Sequence, residues 1–376
     1  MYYPSLRHVF SLLKEFKLKL KKIGIFIIAL VFFAFLVTLL SAQAWDEELI
    51  NGITYTDYSA NGYKNAIGAD QSLQRLADTG ANWIGIIVTC YQEDIDSLEI
   101  DCAHPKTPTD DSVIYVIEQA KAKGLNVMLK PHINLSNPED PNSWRGNIGD
   151  KFNYSFQWNQ WFESYRTLIA HYAKLAQENG VELFCIGTEL MGTTHKEQDW
   201  RNVIQTARLD YPNGLLTYAA QFDGEPQQIE WWDDDLAYIG VDAYYSLSTT
   251  PPTPSNQVPS VAALNEAWKA HVATLTELAQ QHEKPIIFTE IGYQSVLGAH
   301  QQPWGYSGTN PVPSEEEQDN LYQSLLQTFY QQSPEWFAGL FLWQWFPAIA
   351  RCGQEDDYTP CDKEAEATLQ SAWKSN

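Results

Sequence analysis

Two stretches of the chain set an acid directly behind an apolar run: Cys185-Ile186-Gly187-Thr188-Glu189-Leu190 and Ile287-Phe288-Thr289-Glu290-Ile291-Gly292. Two carboxyl groups facing each other suit cleavage of a glycosidic bond. One gives its proton to the leaving oxygen while the other stays ionised and attacks the anomeric carbon. Their separation sets the stereochemistry: about 5 Å permits direct attack and retention, whereas about 6.5–9.5 Å admits a water and gives inversion. Either glutamate alone reads equally well as a solvated loop residue or an ion-pair partner. The chemistry therefore depends on what brings the two together.

A barrel would do so. Short β-rich runs at 52–55, 83–89, 126–130, 182–187, 215–219, 237–241, 285–289 and 339–343 alternate with helical patterns such as 112–123, 158–179 and 262–282. Several of the runs are almost continuously apolar, as strands buried on both faces should be. Asp110 and Ser314 sit where helix caps belong. Eight strands, each followed by a helix or, after the fifth, by a shorter connection, predict the α/β class and a single closed (β/α)8 TIM barrel. A doubly wound open sheet would show a Gly-rich first turn, and Gly52-Ile53-Thr54-Tyr55 offers none. Reactive groups in a parallel barrel gather at the C-terminal strand ends. Strands four and seven, which end at the two glutamates, lie across a barrel only a few side chains wide, so the shorter separation and retention are expected.

Residues 1–44 read as a targeting segment. Arg7, Lys14, Lys17, Lys19, Lys21 and Lys22 surround or precede an apolar run over 23–40, and Ala42-Gln43-Ala44 follows. This is a signal peptide cleaved after Ala44 or, since the run approaches a membrane span in length, an uncleaved anchor. In both cases residues 45–376 form one exported catalytic domain, with membrane contact only through an uncleaved leader. The Pro-rich stretch 249–259 falls between the sixth strand and its helix, which makes it a surface loop and not a linker.

The formal charge of the chain is −23, and losing six bases and one acid with the leader takes it to about −28. Such a surface repels a phosphate backbone and excludes nucleic acid as a partner, while suiting a neutral ligand. Export permits disulfides. Cys352 and Cys361 flank a polar loop and are expected to bridge, Cys90 and Cys102 bracket an acidic loop as a second pair, and Cys185 sits in an apolar strand as a buried free thiol. The spacing lacks the Cys-x-x-Cys or His-rich pattern of a zinc site.

The chain resembles the clan of retaining barrel hydrolases with glutamates on strands four and seven, and within it glycoside hydrolase family 113. The resemblance is carried by Gly52-Ile53-Thr54-Tyr55, Ala81-Asn82-Trp83, Val88-Thr89-Cys90-Tyr91-Gln92, Lys130-Pro131-His132, Ile186-Gly187-Thr188-Glu189-Leu190, Gly240-Val241-Asp242-Ala243-Tyr244-Tyr245 and Thr289-Glu290-Ile291-Gly292-Tyr293, spread over nearly all of the exported chain. It implies hydrolysis of β-1,4-mannan without metal or organic cofactor, with Glu189 as acid/base, Glu290 as nucleophile and a β-linked polysaccharide or oligosaccharide as partner. Other readings of the same fold are a xylanase, a β-glucanase, an exo-β-mannosidase, or a carbohydrate-binding barrel without turnover. One departure stands out: much of the clan has Asn before the acid/base, bonding the sugar 2-hydroxyl, where this chain has Thr188, a shorter group with a different donor pattern.

Around the glutamates, His132 follows the third strand and can bond a sugar hydroxyl or orient a carboxylate. Asp242 and Tyr244 follow the sixth and are both expected to contact the sugar, and a tyrosine there can also donate to the nucleophile and keep it ionised. Trp343 and Trp345 end the eighth strand and, by alternation, share a face. One of them is a sugar platform, its flat indole matching the C–H face of a pyranose. The clan analogy selects Trp343, with Trp345 in its place if the strand runs two residues further. Tyr91, Trp144, Tyr293 and Trp304 lie on other mouth loops, as further subsites or as loop packing, while Trp158, Trp161, Trp231 and Trp232 read as core anchors.

Overall fold

The computed structural model describes residues 48–248, 257–305 and 311–374, so the targeting segment and residues 249–256 of the Pro-rich stretch fall outside the described residues. Eight parallel strands close on themselves in chain order. They are β1 (Ile50–Tyr55), β2 (Trp83–Gln92), β3 (Asn126–Leu135), β4 (Leu183–Thr188), β5 (Leu215–Gln221), β6 (Tyr238–Asp242), β7 (Ile286–Ile291) and β8 (Phe337–Trp345). Among the described residues, seven helices of nine or more residues cover them: α1 (Ala69–Ala77), α2 (Asp110–Ala122), α3 (Ser155–Glu178), α4 (Glu197–Asp210), α5 (Val261–His282), α6 (Glu315–Leu326) and α7 (Glu364–Trp373). After β5 the connection carries only the short helix Glu225–Gln228. The architecture is the (β/α)8 barrel that the alternating apolar runs require.

Side-chain caps mark the starts of α2, α5 and α6. Ser314 accepts from the Glu317 amide, and Glu315, Glu316 and Glu317 occupy the positive first turn of α6. At α2 the expected cap moves by one residue: Thr109 accepts from the Ser112 amide, and Asp110 is already helical, adding its charge to the first turn.

The barrel interior changes character from bottom to top. Ile50, Trp83, Met128, Leu183, Tyr238, Ile287 and Phe341 form an apolar plug at the N-terminal strand ends. Gly52 leaves room for it, since a Cβ there would lie 2.3 Å from the Phe341 ring. Along β3, Met128 belongs to this plug, whereas Val127, Leu129 and Ile133 join the larger core between barrel and helices. Alternation thus turns Lys130 and His132 inward above Met128.

Most strands run further than their apolar runs suggest, and at β2, β3 and β7 this places site residues. The β2–β3 ladder continues to Gln92↔Leu135, so His132 lies within β3 and not after it. β7 includes Glu290, which pairs with Asp242 after a register shift from Val241↔Phe288. That bulge turns the successive residues Thr289 and Glu290 toward the same side.

β8 carries a second bulge, which overturns the expectation that Trp343 and Trp345 share a face. Ile53 pairs with Leu342 but Tyr55 with Trp345, three steps against two. The extra residue reverses the alternation. Trp343 faces the mouth, while Trp345 is fully buried in the outer core with its indole N–H donating to Ser72 Oγ at 2.9 Å. The Trp343–Gln344 peptide is cis. Cys90 is bonded to Cys102 and Cys352 to Cys361, each tying a mouth loop to its base, and Cys185 is free and buried.

Candidate active site

The floor of the barrel mouth is an ion cluster. Lys130 Nζ donates to Glu290 Oε1 at 2.5 Å and to both oxygens of Asp242 at 2.8 and 3.1 Å. Thr289 Oγ1 donates to Asp242 Oδ1 at 2.8 Å, and Tyr244 Oη donates to Glu290 Oε2 at 2.9 Å. Burial alone would depress the Lys130 ammonium, yet the Asp242 and Glu290 carboxylates more than offset it and hold its pKa above the ordinary lysine value. Burial and then Glu290 push the Asp242 carboxyl up, against the pull of Lys130 and Thr289. Glu290 therefore has a donor on each oxygen, the arrangement that holds such a group oriented.

Lys130 and Asp242 are both wholly buried, and removing one partner of a buried pair leaves a desolvated charge uncompensated. Lys130→Met should therefore lower the unfolding free energy by about 3–5 kcal/mol. It should also cut kcat by about 10²-fold or more, the scale of losing one aimed electrostatic donor. Denaturant titration beside steady-state kinetics reads both, and a variant with wild-type stability and turnover would contradict this role.

Glu189 stands opposite on the exit of β4, in the left-handed backbone region at φ 52°. This costs a non-glycine residue about 1–3 kcal/mol and persists only where its surroundings fix it. Here the Glu189 amide donates to the Ala219 carbonyl at 2.8 Å and the Leu190 amide to Tyr218 Oη at 2.8 Å. Tyr218 in turn donates to Glu225 at 2.6 Å, and the Gln221 amide holds the other Glu225 oxygen at 2.6 Å.

The Glu189 carboxyl receives Arg145 Nη1 on Oε2 at 2.6 Å, with the guanidinium anchored by the Ile133 carbonyl at 3.0 Å and Asn134 Oδ1 at 2.9 Å. Burial raises the Glu189 pKa to about 7 despite Arg145, with Asp242 and Glu290 adding to the rise. Charge counting agrees: with Glu189 protonated, Asp242 and Glu290 balance Lys130 and Arg145. The two glutamates thus have divergent environments, the pattern that assigns one to proton donation and the other to attack.

His132 Nε2 lies 3.3 Å from Glu290 Oε1 but makes no hydrogen bond. Burial, then the Arg145 and Lys130 charges, keep this imidazole neutral, its pKa well below the usual histidine value. It faces Trp343 with the rings nearly parallel at 5° and centroids 6.2 Å apart.

These groups open into a cleft of about 930 Å³ whose wall includes Tyr91, His132, Glu189, Tyr244, Glu290 and Trp343, with Trp144 and Trp304 further out. Two expected sugar contacts are not in that wall. Thr188 is buried with its hydroxyl donating to the Pro131 carbonyl at 3.3 Å, and Asp242 lies beneath the cleft under Lys130. Tyr293 is buried against Tyr322, while Trp161, Trp231 and Trp232 are fully buried in the outer core. Trp158 is half-buried, with Lys196 4.4 Å above its ring.

Sequence reasoning did not single out Lys130, Arg145, Tyr58, Gln221, Phe222 or Tyr358, and all but Lys130 line the cleft. A lysine inside an apolar strand is a readable signal, since charged residues are seldom buried unless paired. Among the described residues, the grouping with metal-ligand spacing is Cys352, Cys361 and Asp362, but its two sulfurs are consumed in a disulfide and offer no thiolate.

Comparison with known proteins fits this geometry. A family model described as Glycoside Hydrolase Family 113 matches residues 53–363. A family 113 β-1,4-mannanase, also solved as a complex, superposes with a TM-score of 0.76 at 27% identity, covering 88% of this chain and 100% of that one. The family 113 β-mannanase AaManA from Alicyclobacillus acidocaldarius, solved with ManMIm, gives a TM-score of 0.74 at 29% identity over 89% and 99% of the two chains. A family 5 mannosidase from Rhizomucor miehei, 11% identical with a TM-score of 0.60 over 87% of this chain and 92% of that one, shares the fold alone. No curated protein matches the sequence.

Proposed function

We propose, from the premise that the chain belongs to glycoside hydrolase family 113, that it cleaves β-1,4-linked mannan or manno-oligosaccharides by double displacement with net retention. The observation that carries this reading is the contrast between two carboxyl groups in one cleft wall: Glu290 with a donor on each oxygen, and Glu189 with its proton retained to about pH 7 by burial.

In the first step Glu290 attacks the anomeric carbon and forms a glycosyl ester as Glu189 gives its proton to the departing glycosidic oxygen. Arg145 occupies Glu189 Oε2, so the proton is carried on Oε1. As negative charge leaves Glu290 for the ester, Lys130 remains neutralised by Asp242 and stays in place. In the second step Glu189, now a base, takes a proton from water; the oxygen attacks the same carbon, the ester breaks and Glu290 is restored as a carboxylate. His132 Nε2, neutral and without a hydrogen-bond partner, is available to a sugar hydroxyl, and Trp343 offers its indole face to the ring.

Mannan as the substrate is supported by the β-1,4-mannanase and the β-mannanase that are 27% and 29% identical to this chain. Reducing-sugar release from mannan, glucomannan, xylan and β-glucan tests it. The highest kcat/KM is expected on mannan. A higher value on xylan or β-glucan would move the specificity elsewhere, and binding of mannan without cleavage would replace the enzyme by a lectin-like barrel.

A further inference from the structure

Glu189 is held from behind as well as from the cleft. Arg145 grips its carboxyl, but its backbone turn is fixed by side chains that lie outside the barrel interior. Tyr218 of β5 is fully buried in the outer core, and its hydroxyl accepts the Leu190 amide at 2.8 Å, one residue past Glu189. Room is left for its ring, since a Cβ at Gly187 would lie 2.8 Å from it. Tryptophans box the ring in: the Trp200 and Trp231 centroids are 5.0 and 5.1 Å away and Trp232 follows at 6.1 Å.

On the far side of the Tyr218 hydroxyl sits Glu225, the first residue of the short helix after β5 and also fully buried. Each of its oxygens takes one donor, Oε1 the Tyr218 hydroxyl and Oε2 the Gln221 amide, both at 2.6 Å. The helix is anchored in turn, with the Trp232 indole donating to the Pro226 carbonyl at 2.8 Å. Burial pushes the Glu225 pKa up to about 8 against those two hydrogen bonds, and Glu189 and Asp242 add to the rise. Among the described residues no cation pairs with it. A buried carboxyl without a counter-ion is costly to keep, and such groups concentrate where a site depends on them.

We propose that Glu225, acting through Tyr218, is a positioning residue for the acid/base. The Tyr218 proton is committed to Glu225, which turns the oxygen lone pairs to the Leu190 amide and polarises the hydroxyl toward it. That amide lies beside the left-handed turn at Glu189, so the chain from Glu225 through Tyr218 to Leu190 aims the Glu189 carboxyl at the glycosidic oxygen. The inference rests on the hydrolase function proposed above and deepens it. A role in aiming a proton donor is felt where the leaving group needs the proton and little where it does not.

The test is kcat/KM on a manno-oligosaccharide and on an activated aryl β-mannoside, beside thermal melts, for the full chain, Tyr218→Phe, Glu225→Gln and the double variant. Glu225→Gln keeps the shape but not the pattern: with its NH2 toward Gln221 two donors meet, and with it toward Tyr218 the hydroxyl loses the oxygen to which it donates. Each single change should lower kcat/KM on the oligosaccharide about 10–10²-fold, the scale of a reacting group displaced by a fraction of an ångström to one ångström. The aryl β-mannoside should lose less than about threefold. The double variant should fall within about threefold of the worse single one, because the two residues act in one chain. Tyr218→Phe keeps the ring in its box and decides the matter should Glu225→Gln unfold. Wild-type kcat/KM on the oligosaccharide in folded Tyr218→Phe, an equal fall on both substrates, or effects that multiply in the double variant would overturn the inference. A wild-type protein that cleaved no β-glycoside would refute the hydrolase reading itself, and the inference with it.

Discussion

Glu290→Ala should reduce turnover of mannan by about 10⁴-fold or more, the scale of removing a covalent nucleophile. Among the described residues no nearby group can take its place: Asp242 is wholly buried with both oxygens bonded to Lys130, and Tyr244 loses the oxygen to which it donates. Lys130 keeps Asp242 as a counter-ion, so the fold should survive, and a thermal melt close to wild type separates lost chemistry from lost structure. Azide supplied to this variant should enter from the face that Glu290 vacates and give the α-glycosyl azide. Turnover within tenfold of wild type by a folded Glu290→Ala protein would remove the nucleophile from the account.

The companion change has a different signature. Glu189→Ala should lower kcat on mannan by about 10²–10⁴-fold, the range of a general acid/base. An aryl β-mannoside, whose leaving group needs little protonation, should suffer far less in its first step. The ester then accumulates for want of a base, and azide should release it as the β-glycosyl azide, opposite in configuration to the product from Glu290→Ala.

The pH profile follows from the same residue. A carboxyl raised to about 7 is protonated below that pH and ionised above it, so wild-type kcat/KM should fall as pH rises through about 7. With an activated substrate, that limb should vanish in Glu189→Ala. A limb that persists there would assign the titration to another group.

The glutamates were legible because each follows a run that is apolar enough to be buried on both faces, and eight such runs admit few closed arrangements. Their division of labour was not legible from spacing. It depends on burial and on Lys130, Tyr244 and Arg145, which come from three different connections or strands. Lys130 carried a signal, a charge in the middle of an apolar strand. Arg145 carried none, because it reaches Glu189 from a short 3-10 turn, Arg145–Asn147, in the loop after β3.

The face assigned to Trp345 failed for a physical reason: alternation holds only while the ladder stays in register, and β8 gains a residue against β1 between Leu342 and Trp345. A bulge leaves no mark in composition. Asp242 was located correctly at the end of β6, but reading it as a sugar contact overlooked that a charged residue beside a buried lysine has a nearer partner.

The account stands on Glu290 forming an ester with the sugar while Glu189 handles the proton. Its most direct test is to inactivate the wild-type protein with 2-deoxy-2-fluoro-β-mannosyl fluoride, which slows release of such an ester, and to locate the adduct by peptide mass mapping. The expected result is one fluorosugar per chain, on the peptide that contains Glu290. An adduct on any other residue, or steady turnover of the probe to the inverted sugar with no adduct, would contradict it.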